Sequence, residues 1–258
     1  ATDHPAPKRL GQGRILYDGG LHTLVGEPES GKSVLAYQWM IDVMRSGGRC
    51  VLLDEEAGPY DAMGKLQALG LTRDLAQHLT YLQPRGRNLD RLANEFHEVV
   101  GHDCKMLVVD SMAAVLATAG KEENSNADVT EFVNKVLLPL AKGRGVAVVV
   151  IDHKTKGTTG ERYSRGASAK LGIVDMSIEV EATTPFSRDQ DGLLKLTCHK
   201  DRFGYTGRGF TWQAKVGTTG GLHLEIGRWG EEGVRALVGS MMRAEQDKKN
   251  NLCARILQ

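Results

Sequence analysis

The sequence predicts an α/β protein: a mostly parallel, twisted sheet flanked by helices, with antiparallel strands added in the C-terminal third. Three observations carry this expectation. Short apolar runs alternate with segments of helical period between residues 21 and 151. The runs 106–109 and 146–151 are apolar at every position, as in strands covered on both faces. Beyond residue 173 strand-like runs follow one another through Gly-containing turns, with no helical segment between them.

The elements follow in order. A strand at 21–25 precedes a helical segment over 32–45, in which Val34, Leu35, Trp39, Ile41 and Val43 form a broad apolar face. Gly47 and Gly48 end it. A strand at 50–53 leads to a helix over 60–69 stopped by Gly70. A short strand at 79–82, a helix over 89–100 and the strand 106–109 come next. Asn126 or Asp128 is expected to cap a helix reaching about Leu140. Pro139 removes a backbone donor there, so a kink or early stop is expected. After the strand 146–151, the runs 173–181, 193–199, 209–214 and 222–226 read as the antiparallel extension, and 231–256 as a charged helix. The chain thus divides into an N-terminal arm or linker (1–20), a core (21–228) and a C-terminal helical extension (229–258).

Composition bounds the possibilities. With 258 residues, 41% of them hydrophobic, the chain can bury one large core. Thirty-three Lys and Arg against 32 Asp and Glu leave a net charge of +1, so any nucleic-acid contact must come from a local patch. The four cysteines lie far apart without metal-ligand spacing, which argues against structural zinc. Cys50 and Cys198 sit in apolar runs and are expected to be buried. No apolar stretch approaches the ~18 residues of a membrane span, so no membrane contact and a cytoplasmic location are expected.

Gly26-Glu27-Pro28-Glu29-Ser30-Gly31-Lys32-Ser33 satisfies G-x-x-x-x-G-K-[ST] at every position, between a strand and a helix. The spacing has a physical purpose. Successive main-chain amides curl around a phosphate, glycines permit the curl, and the helix start adds its positive dipole end. Lys32 is expected to reach the β- and γ-phosphates of ATP, and Ser33 to hold Mg²⁺. Glu27 and Glu29 are unusual beside phosphates and are expected to face solvent.

Met106-Leu107-Val108-Val109-Asp110-Ser111 is a buried strand ending in an acid, fit to hold the metal from the other side. Hydrolysis also requires a group to orient and deprotonate water. Asp54, Glu55 and Glu56 end the second strand; alternation sends Asp54 and Glu56 to one face and Glu55 to the other. Glu56 is the first choice for the base, with Asp54 in reserve. The strand 148–151 ends in Asp152-His153, where His153 could sense the γ-phosphate.

Taken together, Gly26 to Ser33, Asp54-x-Glu56, Val109-Asp110-Ser111 and Ile151-Asp152-His153 resemble the RecA-like ATPases. Glu122-Glu123-Asn124, His153-x-x-Lys156 and Arg165-Gly166-Ala167-Ser168-Ala169 are similar to the plasmid RepA-type hexameric helicases. Lys200-Asp201-Arg202-Phe203-Gly204-Tyr205-Thr206-Gly207 resembles the K-x-R-x-G-x-T-G segment of DnaB-type replicative helicases. The resemblance covers roughly residues 15–215. It implies a RecA-like sheet, a homo-oligomer such as a hexamer with ATP at its subunit interfaces, and Lys200 and Arg202 acting on the neighbour's ATP. It also implies DNA-binding loops between His153 and Arg165. There Lys154, Lys156, Arg162 and Arg165 could meet phosphates of single-stranded DNA, and Tyr163 could stack on a base. No primase or loader contact is specified. The function implied is a ring-forming DNA helicase of phage- or plasmid-type replication. A second reading uses the same pocket in an ATP-switched DNA-binding assembly, a recombinase-like filament or a KaiC-like regulator, without unwinding. The Lys200-x-Arg202-x-Gly204 segment weighs toward the helicase. A small-molecule kinase would need an arginine-bearing lid, which the sequence does not supply.

Overall fold

The computed structural model describes residues 6–83, 88–153 and 172–228. A short antiparallel ribbon opens it, β1 (Arg9–Leu10) with β2 (Leu16–Tyr17). Then come β3 (Leu21–Gly26), α1 (Lys32–Arg45), β4 (Arg49–Asp54), α2 (Pro59–Ala68), α3 (Arg73–Ala76) and β5 (Leu79–Leu82). They are followed by α4 (Leu89–Val100), β6 (Cys104–Asp110), α5 (Met112–Thr118), α6 (Asn126–Phe132) and β7 (Ala147–His153). Four strands close the described chain: β8 (Met176–Thr184), β9 (Gly192–Asp201), β10 (Thr211–Gly217) and β11 (His223–Arg228).

Among the described residues β3 to β11 form one nine-stranded sheet in the order β11-β10-β9-β8-β3-β7-β6-β4-β5. From β5 across to β8 the neighbours run parallel. From β8 outward they run antiparallel. The α/β expectation therefore holds, with one correction: the antiparallel part begins at β9, not at the strand expected over 173–181. β8 does not neighbour β7; it lies across β3 from it. Such a crossover delivers a parallel strand, whereas hairpins begin only after β8. β8 also starts later than expected: residues 172–173 are helical, and Asp175 just before the strand accepts from the Leu21 amide through its side chain (2.8 Å).

Alternation divides the core into two layers. Cys50, Leu52, Met106, Val108, Val149 and Ile151 face α1 and α2. Val51, Leu53, Leu107, Val109, Val148 and Val150 face α4, α5 and α6. Every one of these twelve positions is 1% exposed or less, which explains why the runs read as continuously apolar. In β9 alternate residues are buried, among them Leu194, Leu196 and Cys198, and β10 adds Trp212, Ala214 and Val216 to the same layer. Cys50, Cys104 and Cys198 are buried free thiols. None of the described helices is long and apolar enough to cross a membrane.

Two local expectations need correcting. The cap of α6 is Ser125, whose side chain accepts from the Asp128 amide (3.3 Å), rather than Asn126 or Asp128. Pro139 does not stop the segment, which continues to Gly143. The backbone widens into π turns over Val133–Leu137 and Pro139–Gly143, with the Leu138 amide reaching the Val133 carbonyl. The missing Pro donor thus falls inside a stretch where the hydrogen-bond register has already shifted. Residues 9–17, within the stretch expected to be an arm, pack onto the core: Ile15, Leu16 and Tyr17 are fully buried. The Trp39 indole donates to the Gln12 carbonyl (3.1 Å). Gly11, at φ +68°, lies so close beneath that ring that a Cβ would come within 2.5 Å of it. The extension expected over 229–258 lies outside the described residues.

Candidate nucleotide-binding site

The end of β3 and the start of α1 are joined by five residues, Glu27 to Gly31. Glu29 and Gly31 both adopt left-handed backbone, at φ 61° and 89°. Left-handed residues in a short turn pull successive amides toward one concave side, a geometry that suits an anion. For Glu29 that conformation costs on the order of 1 kcal/mol or more. Gly26 allows the loop to approach β8: a Cβ there would lie 2.3 Å from the Val180 carbonyl oxygen and 2.7 Å from the Ser30 hydroxyl. Glu27, Pro28 and Glu29 are exposed, as expected of their side chains, while Ser30 is buried.

Lys32 is 5% exposed and folds into the loop. Its Nζ donates to the carbonyls of Gly26 (2.9 Å) and Glu27 (2.6 Å) and lies 3.5 Å from the Ser30 hydroxyl. Burial lowers its pKa, opposed by the negative charges of Glu56, Asp110, Glu27 and Asp152. The cation therefore stands among glycine-permitted amides at a helix start, the setting a triphosphate requires.

Asp110 ends β6 beneath this loop and is 3% exposed. Burial raises its pKa, against hydrogen bonds from the hydroxyls of Ser33 and Tyr37. The Tyr37 bond to Asp110 Oδ2 measures 3.0 Å. Ser33 and Asp110 are thus adjacent. No cluster of three or more His, Cys, Asp or Glu side chains that could hold a metal occurs among the described residues. One hydroxyl and one carboxylate beside a phosphate cradle instead suit Mg²⁺, which takes few protein ligands and completes its shell with phosphates and water.

The three acids after β4 separate by environment. Asp54 is fully buried. It accepts from the amides of Glu56 (3.0 Å) and Ala57 (2.9 Å) and from the Tyr81 hydroxyl (2.9 Å). It therefore braces the turn that carries Glu56. The Glu55 amide donates to the Asp110 carbonyl (2.9 Å). Glu56 is the acid that leans over the site, with Oε2 3.4 Å from His153 Nε2. Partial burial pushes its pKa up, but the Ser111 hydroxyl, His153 and the Lys32 charge outweigh that and hold it below the usual carboxylate value. Glu56, Ser111, His153 and Lys32 thus form one group at the C-terminal ends of β3, β4, β6 and β7. Asp152 is 5% exposed and accepts from the His153 amide (3.1 Å).

Lys200 and Arg202 stand elsewhere. Ser177 of β8 lies opposite Thr23 of β3 on one side and Lys200 of β9 on the other. Because β9 runs antiparallel, Arg202 lies toward the sheet end away from Gly26. Lys200 Nζ and Arg202 Nη2 each donate to the Gly172 carbonyl at 3.0 Å. Arg202 Nε is 3.7 Å from buried Asp175. Neither side chain joins the group around the chain's own loop. Lys154, Lys156, Arg162, Tyr163 and Arg165 lie outside the described residues.

Sequence reading overlooked Tyr37, Tyr81 and Ser111. Ser111 was within reach, since it follows Asp110 directly. Tyr37 carried a faint signal, a hydroxyl four residues past Ser33 on an otherwise apolar helix face.

Glycine loop, helix, buried Lys and acid-ended parallel strands define a RecA-like P-loop ATPase. Residues 1–159 match the AAA domain family, and the chain belongs to that family. It is similar to the mouse protein "DNA repair protein RAD51 homolog 4", at 28% identity over 165 residues, 57% of this chain and 50% of that protein. The chain therefore spans about half the length of the curated relative it matches. Its fold is similar to that in the crystal structure of the RadB recombinase, with a TM-score of 0.61 and 18% identity over 81% of this chain and 91% of that one.

Proposed function

We propose that this protein is an ATPase whose nucleotide state controls its assembly on DNA, in the manner of a recombinase, without unwinding a duplex. The observation that carries the ATPase part is the convergence of Lys32, Ser33, Asp110 and Glu56 on the 26–33 loop. In this reading the loop amides and Lys32 bind the triphosphate of ATP. Ser33 and Asp110 hold magnesium, which neutralises phosphate charge when bound. Glu56 orients and deprotonates the attacking water, kept ionised by Ser111 and Lys32. His153 touches Glu56 and so is poised to report phosphate loss to the segment that follows it.

The assembly part draws on the relatives, one named a DNA repair protein and the other a recombinase. Lys200 and Arg202 would act across a subunit boundary, a reading supported by their distance from the chain's own loop and their position toward the other sheet end. Single-stranded DNA would meet Lys154, Lys156, Arg162, Tyr163 and Arg165. The ring helicase remains the second reading, favoured by the Lys200-Asp201-Arg202 segment and by the RepA-like segments of the sequence.

A strand-displacement assay with ATP, paired with electron microscopy of the ATP-bound protein on single-stranded DNA, separates the two. Open filaments or small assemblies without displaced strand are expected; closed six-fold rings with displacement would overturn the recombinase-like reading.

A further inference from the structure

Tyr37 is fully buried in the apolar layer between α1 and the sheet. A phenylalanine would fill that space, and a hydroxyl buried there demands a partner. Its partner is Asp110 Oδ2, at 3.0 Å. Burial and the nearby Asp110 charge push the phenol pKa far above its usual range, so the group is a permanent donor. Ser33 and Tyr37 are four residues apart on α1, one turn of the same face, and both hydroxyls meet Asp110. Their fates differ once nucleotide binds in the reading above. The Ser33 hydroxyl would turn to the metal, leaving Asp110 without that donor. Tyr37 lies one helical turn beyond Ser33, buried in the apolar layer, and would keep its bond to Asp110.

The geometry points to Tyr37 as a positioning residue for the metal site, an assignment that rests on the ATPase reading. Its hydroxyl fixes the Asp110 carboxylate by one oxygen, so that the other stays aimed at the place where Ser33 and the phosphates meet. Without it the carboxylate is free to rotate, and a buried anion loses a donor it cannot replace from solvent. Residues behind metal ligands that act in this way commonly contribute 10- to 100-fold to metal affinity. Tyr81 makes an equivalent bond to Asp54 (2.9 Å) but braces the Glu56 turn rather than the metal side.

The test titrates Mn²⁺ into protein with a non-hydrolysable ATP analogue, read by electron paramagnetic resonance. The analogue's affinity in EDTA is measured in parallel. Tyr37→Phe keeps the ring and is expected to raise the half-saturating Mn²⁺ about 10- to 100-fold while metal-free affinity is unchanged. Tyr81→Phe is expected to keep the parental Mn²⁺ affinity. Parental Mn²⁺ affinity in Tyr37→Phe would overturn the assignment, as would an equal loss in Tyr81→Phe or a matching loss of metal-free affinity. A parental protein that takes up no Mn²⁺ with nucleotide would instead overturn the ATPase reading, and this assignment with it.

Discussion

His22 shows how a polar side chain survives at zero exposure. Its Nε2 accepts from the Tyr17 amide (2.9 Å), and its Nδ1 lies 3.0 Å from the Val148 carbonyl as donor. That pairing requires the neutral ring. Burial holds its pKa down at about 4, against an ordinary value of 6.5. The unfolded chain therefore binds the extra proton between these values and the folded chain does not. His22 should thus withdraw stability as pH falls from about 6.5 to about 4, by about 3 kcal/mol in all. Chemical denaturation across that window should show the slope, and His22→Phe should flatten it while lowering stability at neutral pH. At the glycine loop, Gly26→Ala forces a methyl against the Val180 carbonyl, a backbone atom with little room to yield. Loss of ATP affinity is expected, measured by equilibrium binding, together with a lower melting temperature.

At the scale of elements, β3 to β7, α1 and α4 are legible in the sequence because local pattern and burial agree there, whereas β1 and β2 fall in the stretch expected to be an arm. Where tertiary partners decide, the sequence was silent. Alternation put Asp54 and Glu56 on the same side, but what sorts them is Tyr81, 27 residues away, which takes Asp54 for the scaffold. The α6 cap is Ser125 rather than the expected Asn126 or Asp128: Ser, Asn and Asp all suit that place, and only the Asp128 amide bond identifies Ser125. Ser125→Ala should cost about 1 kcal/mol in urea denaturation. The kink or early stop expected at Pro139 follows from the usual i−4 ladder, which the π turns replace. Since the π register accommodates it, Pro139→Ala should leave stability nearly unchanged, and a gain approaching ~3 kcal/mol, the cost of Pro relative to Ala in an ordinary helix interior, would refute that account. The parallel pairing of β8 had no local signature at all; it follows from β3 lying between β7 and β8.

The whole molecule raises the question of what reaches the nucleotide from outside. Asp175 is buried at the sheet end away from the loop, where Lys142 (2.5 Å) and Arg202 gather around it. If Arg202 serves a neighbouring subunit's ATP, it must leave this carboxylate for phosphate when subunits meet. Arg202→Ala should then bind ATP with parental affinity and hydrolyse it about 10³-fold more slowly or worse. Mixing Arg202→Ala with Lys32→Ala protein provides the sharper check. One partner supplies an intact loop and the other an intact Arg202, so turnover should reappear on mixing. Two inactive proteins that stay inactive together would contradict the action of Arg202 across the subunit boundary. Turnover of the parental protein should also rise more steeply than linearly with its concentration, and rise again with single-stranded DNA.

The most direct measurement is equilibrium binding of a fluorescent ATP analogue to the parental protein and to Lys32→Ala. Lys32 makes two close charged hydrogen bonds inside the loop, to the Gly26 and Glu27 carbonyls, which phosphate oxygens would replace. Its loss should weaken binding ~100-fold, the equivalent of about 3 kcal/mol for charged hydrogen bonds. Equal affinity in the two proteins would contradict the nucleotide site itself.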